Sequence, residues 1–309
     1  MARHPKTVIE YRNYELPAHF PIQILTGEHW RISDKPAGVL HFHNCLEIGL
    51  CESDGGILAF QGEERAFHAG DVTVIAGDVL HTTWSDPGTA SKWSYLHLDP
   101  TELERPFFPP EAIPNTALLQ QVLQGHYYIL SPEEYPQVQA LVRAMLREME
   151  EKQMNYQVSV RGLILTFLIE LMRINARQGS ANMAGTIPVA PALEYIYHHY
   201  MEDFPIETLA EMCGMSQSHF RKVFKELMNV GPLEFLNRTR ILKACSLMRM
   251  SDASILSISS QVGFLSLSSF NRHFQAEMGT SPSRWRAAAG NNPKTSILKY
   301  SGWLTPPKM

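Results

Sequence analysis

The 309-residue chain is 44% hydrophobic and 19% charged, the composition of a soluble globular protein long enough for two cores, which excludes disordered and fibrous classes. No run approaches the roughly 18 apolar residues of a membrane helix, and the first residues lack the apolar core of a secretory signal, so no membrane partner and a cytoplasmic location are expected. The net charge of −4 divides unevenly: residues 1–190 carry 14 Lys and Arg against 22 Asp and Glu, residues 191–290 carry 10 against 9, and residues 291–309 add three lysines and no acid.

Residues 20–100 are short runs of β-formers punctuated by turn signals at Ser53-Asp54-Gly55-Gly56, Gln61-Gly62 and Gly70-Asp71, which predicts an antiparallel barrel or sandwich. The four cysteines, Cys45, Cys51, Cys213 and Cys245, lack Cys-x-x-Cys spacing and read as small apolar fillers. Within the strand-rich zone His41 and His43 point to one face of a strand, and Glu47 shares that parity if the strand is regular. Gly70-Asp71 and His81 follow. This spacing resembles the two motifs of the cupin barrel, in which three histidines and a glutamate converge on a metal. The second motif is degenerate, with Ala76 in place of its proline and Asp78 in place of its second glycine.

Three readings of these residues stay open. His41, His43, Glu47 and His81 form a site for a divalent Ni, Zn or Fe ion. Alternatively the same groups bond the hydroxyls of a small-molecule effector such as a sugar, with Trp84, Trp93 and Tyr95 as stacking faces. In the third, the histidines are satisfied by barrel neighbours.

Ser131 followed by Pro132 suits a helix start, and Val138, Leu141, Val142, Met145, Leu146 and Met149 recur at helical spacing. A second helix, about 158–174, is apolar over most of its circumference and needs cover on both sides. Residues 131–177 are therefore expected to form a homodimer contact behind an effector barrel of residues 1–130. Residues 178–190 are small, polar and proline-ended, a linker. Residues 191–290 read as helices, and the tail 291–309 has no assigned role.

One unit is written twice in the last third, at residues 206–232 and 256–282. Leu209-Ala210-Glu211-Met212-Cys213-Gly214-Met215-Ser216 precedes Phe220, Phe224 and Pro232. Ile258-Ser259-Ser260-Gln261-Val262-Gly263-Phe264 precedes Phe270, Phe274 and Pro282, and Phe235 and Trp285 follow the prolines. Each copy has the physics of a helix-turn-helix: a short helix stopped at Gly214 or Gly263, a capping Ser216 or Ser266, and a second helix that buries its Phe pair. The outward residues are Ser218, Arg221, Lys222 and Lys225 in the first copy, and Ser268, Ser269, Asn271, Arg272 and Gln275 in the second. Arg, Asn and Ser read base edges, and Lys suits phosphates. A helix from Pro232 to Met250 would span roughly 28 Å at 1.5 Å per residue, enough to present two such helices to successive major grooves of double-stranded DNA.

Leu209-Ala210, Gly214-Met215-Ser216, Arg238-Thr239-Arg240-Ile241 with Lys243-Ala244, and Val262-Gly263-Phe264 with Ser269-Phe270-Asn271-Arg272-His273-Phe274 resemble the signature of the AraC/XylS transcription regulators over about 100 residues. Leu265-Ser266-Leu267-Ser268 departs from that family's more polar turn. The resemblance implies a two-domain α+β fold. Its parts are an N-terminal cupin-like antiparallel β-barrel with a helical hairpin and a C-terminal all-α domain with two helix-turn-helix units. It also implies a ligand-responsive activator, sugar sensing and contact with RNA polymerase. The expected protein is a non-enzymatic regulator; the rival class is a metal-dependent cupin enzyme fused to a DNA reader.

Overall fold

Among the described residues, runs of β-formers between Val8 and Leu130 form ten strands in two five-stranded sheets. The computed structural model describes residues 8–14, 16–17, 20–60, 63–100, 103, 126–178 and 187–288. The Gln61-Gly62 turn, residues 104–125 of the expected barrel domain, residues 179–186 of the expected linker and the tail 291–309 lie outside the described residues. The chain divides into two units between Thr186 and Ile187.

One sheet has the order β1-β3-β8-β5-β6, where β1 is Val8–Arg12, β3 Val39–His43, β5 Gly56–Phe60, β6 Glu63–Phe67 and β8 His81–Ser85. The other has the order β10-β7-β4-β9-β2, where β2 is Ile22–Leu25, β4 Leu46–Ser53, β7 Val72–Ile75, β9 Lys92–Leu98 and β10 Tyr127–Leu130. Among the described strands only β1 pairs in parallel, with β3. Leu58, Phe60 and Phe67 of the first sheet meet Leu25, Cys51, Ile75, Trp93 and Tyr95 of the second in one interior cluster.

The second sheet is buried on both faces, which explains the near-continuous apolar text of β4. Its outer face, with Ile22, Leu46, Ile48, Leu50, Val72, Val74, Leu96 and Leu98, is covered by two helices, α1 (Pro136–Glu151) and α2 (Tyr156–Gln178). Val138, Val142, Met145, Leu146 and Met149 of α1 point inward as their spacing predicts. The helix begins at Pro136 and not at Pro132. A helix begun at Pro132 would carry Pro136 beyond its first turn, where the ring clashes with a preceding carbonyl and the missing N–H is felt. Ser131 instead closes a separate turn, its carbonyl accepting from the Tyr135 N–H at 2.9 Å.

The apolar excess of α2 goes largely into this same core. Val160, Ile164, Phe167, Leu168, Leu171 and Ile174 are at most 1% exposed, each contributing about 1.5–3 kcal/mol on burial. The expectation that this excess marks a partner surface is therefore narrowed to what remains outside.

The second unit is helical: α3 (Ala190–His199), α4 (Ile206–Met212), α5 (Gln217–Met228), α6 (Pro232–Met250), α7 (Ile255–Gln261), α8 (Leu267–Met278) and α9 (Pro282–Ala288). Pairs α4/α5 and α7/α8 are the two helix-turn-helix units, joined by the 19-residue α6. Gly214 (φ 63°) and Gly263 (φ 89°) take the left-handed conformation at the turns. In each copy the next N–H reaches back five residues, Met215 to Ala210 at 2.9 Å and Phe264 to Ser259 at 3.0 Å. Ser216 and Ser266 cap α5 and α8 by accepting the N–H groups of His219 and Ser269. Among the described residues, no helix is long and apolar enough to cross a membrane.

Candidate functional site

In the barrel the sequence pattern and the backbone part company at Asn44-Cys45. His41 and His43 end β3 in one sheet, whereas Glu47 opens β4 in the other. The two therefore do not share a face of one regular strand; they meet across the interior. His41 is the register partner of His81 on β8, with ring centroids 4.1 Å apart. Glu47 is the register partner of His97 on β9, whose Nε2–H donates to Glu47 Oε2 at 3.1 Å. His43 Nε2 lies 3.5 Å from Glu47 Oε2, and His81 Nε2 lies 3.8 Å from Glu47 Oε1.

His43, Glu47 and His81 offer three ligand atoms within 4.8 Å of one another, the one group of this kind among the described residues that could hold a metal ion. His41 is buried beside this group and not part of it. Burial lowers the His43 pKa to about 3 and that of His41 well below its ordinary value. Burial acts to raise Glu47, but His81, His97 and His43 together hold it well below the usual carboxylate range. The cluster thus holds a buried carboxylate beside the neutral imidazoles of His41 and His43.

Of the three aromatics expected as stacking faces, Tyr95 is nearest the cluster. Its ring stacks on His97 at 5.9 Å and on Trp93 at 5.3 Å, because alternate residues of β9 share one face. Gly49 makes room for this ladder: a Cβ there would stand 2.8 Å from Tyr95 Cε1 and 3.0 Å from Trp93 Cζ3. Trp93 is 1% exposed, with its indole N–H on Ser91 Oγ at 2.9 Å, and belongs to the core. Trp84 is half-buried and of opposite parity to His81 on β8, so it does not share the histidine's face.

Sequence reasoning passed over His97 and Tyr14. His97 was findable, two residues beyond Tyr95 on the same strand. Tyr14, packed 4.1 Å from the His97 ring, was not: Asn44 clamps its backbone, accepting from the N–H at 2.7 Å and donating to the carbonyl at 3.0 Å.

In the helical unit Ser218, Arg221, Lys222 and Lys225 are exposed on one face of α5, at helical steps of three, four and seven. Ser268, Asn271, Arg272 and Gln275 occupy the same face of α8 and are exposed; Ser269 is half-buried beneath the cap. Three cations of α6 have partners within the helical unit. Arg240 is 8% exposed and donates to the carbonyls of Tyr200 (2.6 Å) and Glu202 (2.8 Å), Arg238 pairs with Glu277 at 2.7 Å, and Lys243 lies over the Tyr197 ring at 4.0 Å. Leu265, the extra residue in the second turn, is 95% exposed, while Leu267 packs against the core of its unit.

Residues 26–172 match the model of the AraC-like ligand binding domain, and residues 209–288 that of a helix-turn-helix domain. The chain belongs to the AraC family. It is a ligand-responsive transcription regulator with a cupin-like N-terminal domain and a DNA-binding C-terminal domain. It is similar to the HTH-type transcriptional activator RhaS of Escherichia coli O139:H28 (strain E24377A / ETEC), 25% identical over 250 residues that cover 78% of this chain and 85% of the relative. RhaS of Enterobacter sp. (strain 638) is 26% identical over 251 residues, with the same coverage. Among solved structures, the DNA-binding domain of AdpA in complex with a target DNA is 34% identical and matches 33% of this chain and 93% of that one, with a TM-score of 0.32.

Proposed function

We propose that this AraC-family regulator senses a carbohydrate or related polyhydroxy metabolite inside the barrel and, on binding it, activates transcription. The observation that carries the proposal is the buried constellation of His41, His43, Glu47 and His81, with Tyr14, Tyr95 and His97 beside it. His41 Nδ1, His43 Nε2 and His81 Nε2 are buried without a hydrogen-bond partner; buried polar groups need partners, and the hydroxyls of a sugar supply both donors and acceptors. Activation is supported by the relatives named activators, and contact with RNA polymerase by family resemblance. Arg221 and Arg272 are assigned first to base edges, Ser218, Ser268, Ser269 and Asn271 second, and Lys222 and Lys225 to phosphates.

The regulator acts as a homodimer through what α2 leaves exposed. Val158, Gly162, Leu165 and Ile169 recur at steps of four, three and four, the seam of a packed helix pair. Val158 is 58% and Ile169 39% exposed, and Gly162 has open space at its Cβ. A second copy of the same seam is its partner. Replacing Leu165 and Ile169 by Glu should halve the mass measured by light scattering; an unchanged mass would remove this surface from the dimer.

A thermal-shift screen of the full-length protein against sugars, sugar acids and glycosides tests the effector class, because a ligand that binds only the folded state raises Tm. The expected result is one carbohydrate whose shift disappears in His41→Ala. A panel in which nothing shifts Tm would remove the carbohydrate reading and leave the DNA-binding domain untouched.

A further inference from the structure

We propose that Arg240 is a positioning residue for DNA reading: it pins the turn after α3 to the second helix-turn-helix unit and so fixes the spacing at which α5 and α8 enter DNA. The proposal rests on the reading of those two helices as the DNA-contacting pair.

The two units share α6, whose Phe235 meets Phe224 of the first while its Ile241, Ala244, Cys245 and Met248 lie in the core of the second. One helix of 19 residues is a poor ruler by itself, because long helices bend without breaking their hydrogen bonds. A second strut runs beside it. Helix α3 packs on α4 of the first unit and on α6, and the turn that follows it, Tyr200-Met201-Glu202, reaches the second unit. Tyr200 packs against that unit's core, and Met201 lies against its glycine turn.

Arg240 closes this frame. Its Nε–H donates to the Tyr200 carbonyl at 2.6 Å and its Nη2–H to the Glu202 carbonyl at 2.8 Å, while the guanidinium lies 5.7 Å from the centre of the Phe264 ring. Two carbonyls of one turn are met by one planar fork, a geometry that lysine does not offer. One helical turn further along, Lys243 Nζ stands 4.0 Å from the Tyr197 ring centre and 5.5 Å from that of Tyr200. The glycine turns show what is particular to the second unit. A Cβ at Gly263 would stand 2.6 Å from the Met201 carbonyl oxygen and 2.9 Å from its carbon, whereas one at Gly214 would meet nothing within 4 Å among the described residues. Both glycines are left-handed, so the turn asks for glycine in each copy, but the close approach of another backbone asks for it only in the second.

The test uses full-length protein and a duplex that it selects from a random-sequence pool. Footprinting locates the two major-groove segments covered by one protomer, and one or two base pairs are then inserted between them. Each insertion moves the second segment by about 3.4 Å and turns it by roughly 35°. The wild type should lose affinity about tenfold or more. Arg240→Ala should bind the original duplex more weakly and the lengthened ones no worse than the original. Its salt slope should be unchanged, because a buried guanidinium releases no counterion. Gly263→Ala should behave in the same way. Gly214→Ala, which carries the same left-handed strain without the contact, should keep the wild-type penalty. A wild type that covers two segments yet is indifferent to the insertions overturns the role of Arg240 and keeps the two-helix reading, whether or not the variant folds; a single covered segment removes both. An Arg240→Ala protein that binds weakly but keeps the full penalty also overturns the proposal. A salt slope lowered by about 1 would make Arg240 a phosphate contact instead.

Discussion

In the first helix-turn-helix unit the rings of Phe220 and Phe224 stand 5.4 Å apart and Phe224 meets Phe235 at 5.6 Å. In the second, Phe270 and Phe274 stand 5.5 Å apart and Phe274 meets Trp285 at 6.0 Å. The serine caps and glycine stops repeat as well, with the extra Leu265 in the second turn as the difference. On the outward face, residues at the same position differ: Arg221 corresponds to Asn271, Lys222 to Arg272, and Lys225 to Gln275, with Ser218 and Ser268 alike. Buried positions are held in place by packing, where one methylene matters, whereas exposed positions are free to diverge. The first face carries three cations and the second one, so the first should depend more steeply on salt when it meets DNA.

The largest effects should come from the shared interior. Phe224→Ala and Phe274→Ala should each destabilise the helical unit by about 3–5 kcal/mol, measured by urea denaturation followed by circular dichroism. A cost confined to one copy would break the equivalence of the two interiors. Next come the faces: Arg221→Ala and Arg272→Ala should each weaken operator binding by about 1–3 kcal/mol and relax specificity in different halves of the site. Footprints that change at the same bases would show that the two units do not read separate grooves.

Salt sharpens the contrast. Lys222→Ala and Lys225→Ala should each lower the slope of log affinity against log salt by about 1, while Gln275→Ala should leave it unchanged. Ser216→Ala and Ser266→Ala should each cost about 1 kcal/mol of thermal stability. Smallest of all, Leu265→Ser should move stability by less than about 0.5 kcal/mol, because the side chain is 95% exposed. A larger loss would mean that Leu265 is packed against something in solution.

The helical unit was legible because its signals are local. Phe pairs four apart, a glycine stop and a capping serine are short-range instructions, and the helix from Pro232 to Met250 has the ends that its proline and its periodicity prescribe. The Arg238, Arg240 and Lys243 signature was visible too, but nothing local says whether a cation on a helix meets DNA or a carbonyl. Arg240 is committed to Tyr200 and Glu202, forty residues away in sequence.

The barrel shows the opposite balance. Period-two reasoning placed His41 and His43 together but carried Glu47 along on the same strand, because it could not see the break at Asn44-Cys45. Likewise, the apolar circumference of α2 asked for cover on two sides without saying that the sheet and α1 supply most of it.

By itself, the amino-acid sequence determined the two-part organisation, the duplicated DNA-reading unit and the residue types gathered in the barrel, since spacing along one element sets which side chains share a face. Only the tertiary structure decided that Glu47 meets His43 and His81 from the opposite sheet, that His97 and Tyr14 stand with them, and that His41 stands to one side. Those meetings depend on strand register and on closure of one sheet over the other, which are long-range pairings that no local pattern encodes.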